Sequence, residues 1–126
     1  MAQLAALSRK PMLRVISTVS AIDRNHLARM TFGDRHLERE LMRLFARQAY
    51  LLIERMRESE PYAMASLAHT LKGSAAGIGA TEVAAAAAAV EKAATTGMVG
   101  SRAAFARLVL ALDEACAAIE EMLQPD

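Results

Sequence analysis

Apolar and polar positions along this chain alternate with the period of an α-helix, and no run alternates with the period of a strand. Leu37, Leu41, Leu44, Phe45, Leu51, Leu52 and Met56 recur at helical spacing through RHLERELMRLFARQAYLLIERMRES, with Gln48 on the same stripe. They predict a long helix starting after Asp34, a residue suited to cap the first free N–H groups. Ahead of it, Asp23 is placed to cap a short helix through RNHLARM, and TFGD predicts a turn. A further helix is expected from about Glu60 and Pro61, since proline is tolerated in a first helical turn. It should loosen at Gly77 or Gly79. Its apolar stripe is Met64, Leu67, Leu71, Ala75 and Ile78. Thr81 as N-cap opens the next helix, which runs to about Thr96 with Gly97 suited to its end. The interior of that helix, EVAAAAAAVEKAA, has high helix propensity, and its tiny side chains would let a neighbour approach closely. Ser101 as N-cap opens the last helix, with Phe105, Leu108, Val109, Leu112, Cys116 and Ile119 at three-four spacing and a stop before Pro125.

Short connections between amphipathic helices favour antiparallel neighbours. The expectation is therefore an all-α fold, an antiparallel up-down four-helix bundle with a short extra N-terminal helix. The bundle domain should occupy residues 21–126. Residues 1–20, weakly patterned and broken by Pro11, are expected to form a tail or a short extra helix. There is no internal repeat.

Composition narrows the function more than the fold. Apolar residues are 54% of the 126, enough for a packed core, while aromatics are 4% and Trp is absent. The core must rest on Leu, Ile, Val, Met and Ala. A net charge of +1 lacks the basic footprint of a nucleic-acid binder. Cys116 is the only cysteine, which excludes an intrachain disulfide and a cysteine zinc cluster. With no basic residue beside it, it reads as a small buried hydrophobe. Arg9, Lys10 and Arg14 interrupt any secretory apolar region, and no run is long enough to span a bilayer. A cytoplasmic protein without membrane attachment is the simplest expectation.

The chemistry concentrates in AHTLKGSAAGIGA, residues 68–80. A helix advances about 100° per residue, so His69 points roughly 150° away from the centre of its helix's apolar stripe. It is expected on the outer face, with Ala65, Lys72, Gly73 and Ala76 as neighbours. Gly73 and Ala76 leave the imidazole unshielded. A glycine inside a helix costs about 1 kcal/mol relative to alanine, so a packing or functional reason is expected. An exposed ring nitrogen can attack a phosphoryl group, and the Lys72 ammonium can offset the resulting charge. Against this stands the plain reading of a solvated surface histidine.

The same segment resembles the signature of the histidine-containing phosphotransfer (HPt) domain family, H-x-L-K-G-x5-G. His69, Leu71, Lys72, Gly73 and Gly79 all fall on it. The flanks MTFGDRHLERELMRLFARQ and VAAAAAAVEKAATTG are similar to those of the family, so the likeness covers about residues 22–122. It implies that His69 accepts the phosphoryl group through Nε2, that Lys72 steadies it, that Gly73 makes room for a docking partner and that Gly79 ends or bends the helix. Gln48 matches a polar position that in some members hydrogen-bonds the imidazole; the plainer reading is a tolerated polar residue at the edge of the stripe. Gly77 departs from the family pattern, where Ser or Ala is more usual.

The implied partners are receiver domains of response regulators and of a hybrid histidine kinase, with the chain as a monomeric phosphocarrier rather than an enzyme. No cofactor is implied for the chain itself, because the Mg²⁺ belongs to the receiver. Ala65, Ala76 and Tyr62, with Arg47 or Arg55 at the rim, are the expected docking surface. Three alternatives remain. A kinase dimerisation domain would carry an acidic residue after the histidine, where this chain has Thr70, and there is no Gly-rich nucleotide lid. A metal-binding bundle would have to use His26, His36 and His69, which lie on three different helices without Glu-x-x-His pairing. A helical adaptor with no chemistry would have no need of His69, Lys72 and Gly73 together.

Overall fold

Asp23 and Asp34 each accept a hydrogen bond from the backbone N–H three residues on, at His26 and Leu37, both at 3.0 Å. These caps start the first two helices. In the computed structural model, which describes residues 21–96 and 101–125, five helices follow one another. They are α1 (Arg24–Met30), α2 (Arg35–Arg57), α3 (Pro61–Ile78), α4 (Thr81–Thr96) and α5 (Ser101–Leu123). The four long helices pack in a ring, α2 on α3, α3 on α4, α4 on α5 and α5 back on α2, while α1 lies against α3. This is the expected all-α, up-down four-helix bundle with a short extra helix ahead of it. What residues 1–20 form, and the role of Gly97, lie outside the described residues.

The core is built from small and branched side chains, as the scarcity of aromatics requires. Leu71, Val83, Val90, Leu108, Leu112 and Ile119 are among its fully buried members. Alanines do much of the packing between α3 and α4. Ala68 and Ala75 on one and Ala86 and Ala87 on the other are fully buried, and this is the most extensive pairing in the ring. Small side chains let the two backbones approach, and that closeness brings an α4 side chain within reach of the face of α3. Truncating a fully buried leucine such as Leu71 to alanine should cost about 2–5 kcal/mol.

Three local expectations are corrected. In α2 the buried stripe is Met42, Phe45, Ala49, Ile53 and Met56, whereas Leu37, Leu44 and Leu51 are exposed. Two overlapping apolar stripes run along this helix, and the sequence pattern merged them. Ala49 lets a neighbouring helix pack closely against α2, and the unbranched Met42 fills the core space beside it. In α3, Ala65 is buried rather than outward-facing. Thr81 and Ser101 are the first residues of their helices rather than caps ahead of them.

The C-terminal end of α3 is closed by explicit partners for carbonyls that a helix leaves unpaired. Ala75 O accepts from Ala80 N at 2.8 Å and Ala76 O from Gly79 N at 3.3 Å. Gly77 O accepts from His26 Nε2 of α1 at 3.0 Å. Gly77 itself stays helical, and the helix stops at Gly79, whose φ of 85° is left-handed. A Cβ there would stand 2.9 Å from Asp23 O, so glycine is required on two counts. Asp23 N in turn donates to Gly79 O at 2.8 Å. The junction thereby fixes α1 against the helix that carries His69.

Candidate phosphotransfer site

His69 lies midway along α3 on its outer face, with 65% of its side chain exposed. The outward direction of α3 is set by its partners: Ala68, Leu71 and Ala75 face inward, leaving Ser66, His69, Thr70, Gly73 and Ala76 to solvent. The exposure expected for His69 is therefore observed.

The feature that sequence reasoning missed is Glu91 of α4. One of its carboxylate oxygens accepts from His69 Nδ1 at 2.9 Å, and the other accepts from the Lys72 ammonium at 3.0 Å. The Lys72 hydrogen bond holds the Glu91 carboxyl below its usual value of 4.5, with a smaller contribution from His69 in the same direction; partial burial opposes both. Glu91 is thus a carboxylate, and a carboxylate can only accept. The proton must sit on His69 Nδ1. In a neutral imidazole that leaves the lone pair on Nε2, directed away from Glu91 and into solvent. One signal for Glu91 is present in the sequence: it is an isolated acid beyond an alanine run, on the helix following the histidine.

Lys72 is where helical spacing placed it, on the same side as His69, but its ammonium is engaged by Glu91. Gly73 follows one turn below the histidine. A Cβ built there meets nothing within 4 Å, so no neighbour inside the molecule demands glycine. Gln48 does not join this cluster. It lies on the other flank of the histidine, in a groove of about 290 Å³ lined by Gln48, Leu51, Leu52 and Arg55 of α2 and by Thr70 and Ser74 of α3. The imidazole partner that the resemblance suggested for Gln48 is supplied by Glu91 instead.

Of the other expected surface residues, Tyr62 is almost fully exposed and Arg47 and Arg55 reach solvent, while Ala65 is withdrawn into the core. Leu51, 63% exposed, and Leu44 add apolar surface beside the groove. Cys116 is buried against Tyr50, and burial raises its thiol above the usual range, which suits packing rather than reactivity.

The site thus joins an outward imidazole, a carboxylate that accepts from its Nδ1 and a glycine with open space above it. The sequence model of the Hpt domain family matches residues 37–123, and the chain belongs to that family. Hpt domains are helical phosphocarrier modules that work with receiver domains in two-component phosphorelays. No curated protein and no solved structure matches the chain significantly. No helix among the described residues is long and apolar enough to cross a membrane.

Proposed function

We propose that His69 takes a phosphoryl group through Nε2 from the aspartyl phosphate of one receiver domain and delivers it to the aspartate of another. The observation that carries this reading is the hydrogen bond from Nδ1 to Glu91, which leaves Nε2 unprotonated and facing out. Attack forms the Nε2–P bond as the aspartyl P–O bond breaks, and the electron pair leaves with the aspartate oxygen. The Nδ1 proton stays in place, so the ring becomes cationic and the Glu91 carboxylate offsets its charge. A buried aspartate plays the comparable part beside the histidine of a serine protease.

Lys72 is the second participant. Its ammonium has three donors, so it can keep one bond to Glu91 while another reaches the phosphoryl oxygens. The Mg²⁺ and most of the transition-state stabilisation come from the receiver; the chain supplies nucleophile, orientation and docking face. That face takes in the outer surface of α3 at Gly73 and the α2 flank with Leu44, Gln48, Leu51 and Arg55. Its apolar side chains lie on the α2 side of the histidine, whereas Glu91 and Lys72 occupy the α4 side.

Incubation of the purified chain with Mg²⁺ and γ-labelled ATP alone should leave it unlabelled. A receiver bearing an aspartyl phosphate should transfer one phosphoryl group to it, acid-labile and base-stable, and a second receiver should remove that group. Labelling from ATP without a partner would overturn the carrier reading in favour of a kinase.

A further inference from the structure

Helix α2 carries more leucine than the core uses. Leu37, Leu44 and Leu51 stand seven residues apart and are 40%, 42% and 63% exposed. Seven residues are close to two helical turns, so the three point in nearly the same direction. The half-buried Leu41 and the exposed Gln48 and Arg55, also seven apart, lie beside them. Together they fill the alternating positions of a two-helix seam. Single surface leucines need no explanation, but a straight row of them marks an interaction surface.

The row is complementary to itself. Two copies of a helix related by a two-fold axis across it run antiparallel, and each residue meets the one equally far beyond the axis. With the axis at Leu44, Leu44 meets its own copy and Leu37 meets Leu51 of the partner subunit. The same register sets Glu40 within one residue of Arg47 of the partner subunit, on the flank of the row away from α3. It also sets Asp34 within one residue of Arg55 of the partner subunit. Arg47 and Arg55 form no ion pair among the described residues. Glu40 holds Arg43 at 2.9 Å through only one carboxylate oxygen, in a pair whose side chains are about half exposed. Such a pair is worth little and does not stop Glu40 from engaging a second cation. An axis three residues further on would set Glu40 against Glu54 and Arg47 against its own copy. The charges therefore select the register that aligns the leucines.

The neighbouring helix leaves the row accessible. On the α3 side it is bordered by Thr70 and Ser74, short side chains that leave a groove rather than a wall. Gly73 beside them has nothing within 4 Å of a Cβ position. From residue 37 to residue 55 the row is about 27 Å long at 1.5 Å per residue, and one helix is about 10 Å wide. A seam of that size falls well short of the ~800 Å² per partner of a standard interface. The pairing it supports is weak and exchangeable.

We propose that two copies of this chain pair antiparallel through the α2 row, with Leu44 at the two-fold axis, and that this dimer covers the α2 flank of His69 until a receiver displaces it. Leu44, Gln48, Leu51 and Arg55 belong both to the row and to the face that docks a receiver. A second copy and a receiver therefore compete for one surface, and the free chain is held back from phosphotransfer at high concentration. The pairing stands on the row itself, whereas its effect on phosphotransfer rests on the carrier reading of His69.

The test is sedimentation equilibrium of the full-length chain at low salt, from low micromolar to near-millimolar concentration. The wild type should pass from the mass of one chain to that of two. Leu44→Glu sets two carboxylates against each other on the axis and should stay monomeric throughout. Glu40→Arg and Arg47→Glu, each alone, oppose like charges and should weaken the dimer at least about tenfold. The two together restore opposite charges and should bring it back to within about threefold of wild type. All three positions are exposed, so melting temperatures should stay near wild type and report that the variants fold. Adding a receiver should convert the dimer to a complex of one chain with one receiver. A wild type that is monomeric at every concentration overturns the proposal, as does a dimer that persists in Leu44→Glu or a double swap that fails to restore pairing. A Leu44 methyl found by NMR in contact with residues 1–20 of its own chain overturns it in favour of an internal cover, and a dimer that binds a receiver on each copy overturns the competition. Failure of the carrier reading looks different: the dimer forms as described, but no phosphorylated receiver labels His69.

Discussion

Two helices of this molecule end in the same way and for different reasons. At the end of α1 and at the end of α3, paired N–H groups reach back to the last carbonyls around a residue in the left-handed region, and in α1 the next residue, Gly33, is left-handed as well. In α3 that residue is Gly79, and the space above it is filled by Asp23. In α1 it is Phe32, and the space around its side chain is empty. The first closure serves the fold: it turns the chain into α4 and pins α1 to the acceptor helix. The second tolerates strain where the fold gains nothing. A third position, Gly73, completes the contrast, since neither a left-handed φ nor a neighbour calls for glycine there. The residues that break local rules without a structural reason are those that face outward, at Gly73 beside His69 and at Phe32 in the turn after α1.

Substitution at the two glycines and at Glu91 can break or sharpen that contrast. The largest effect is expected for Gly79→Ala. A left-handed alanine costs about 1–2 kcal/mol, and moving the Asp23 backbone away from the new methyl adds about 1–3 kcal/mol. Loss of about 3 kcal/mol in denaturant unfolding is the expected result; wild-type stability would remove the structural reading of this glycine. Phosphoryl acceptance by the folded fraction should persist, because His69 lies nearly three turns away.

Glu91→Ala should be next in size and should act on chemistry rather than folding. The bond is charge-assisted but open to solvent on the His69 side, so its loss should show in the rate of transfer rather than in the fold. Transfer from a phosphorylated receiver should slow about tenfold with the melting temperature nearly unchanged. Equal rates would reduce Glu91 to a surface ion pair.

Gly73→Ala should carry the opposite sign to Gly79→Ala. It should gain about 1 kcal/mol of stability from helix propensity, whereas Gly73→Gln should slow transfer from a receiver without unfolding the chain. Full-speed transfer by Gly73→Gln would show that no partner approaches this close.

The smallest effects are on titration. The Glu91 carboxyl is depressed when folded, so the stability of its bridge is fully present above 4.5 and is lost as pH falls through the lowered folded value. A carbon-13 titration of Glu91 should give a midpoint below 4.5. At the alkaline side, burial first and the Cys116 hydrogen bond second push Tyr50 from 10.0 to about 12. The unfolded chain releases that proton earlier, so stability should decline as pH rises above 10, and Tyr50→Phe should lessen the decline.

Much of this was legible in the sequence, for identifiable reasons. Asp23, Asp34, Pro61 and Gly79 punctuate the chain with unambiguous local chemistry, and the helices begin and end where these residues place them. His69 could be set on the outer face because Leu71, Ala75 and Ile78 fix the inward direction of its helix. The apolar face of α2 could not be resolved, since Leu44 and Leu51 are as apolar as Met42 and Ile53. Only the closeness of the alanine-rich neighbours decides which set is covered. Glu91 was invisible for a related reason. Its pairing with His69 spans two helices and depends on how nearly α3 and α4 approach, which no spacing along one helix reveals. For the same reason the sequence left two readings of Gln48 open, and the imidazole partner that is seen comes from α4.

The central claim is that Glu91 fixes the proton on Nδ1 and thereby presents Nε2 of His69 to the phosphoryl group. Its most direct test is nitrogen-15 and phosphorus-31 NMR of the chain labelled in its histidines and phosphorylated by a receiver. Phosphorus coupled to Nε2 of His69, with Nδ1 still protonated, is the predicted result. Phosphorus on Nδ1, or on any residue other than His69, would contradict it.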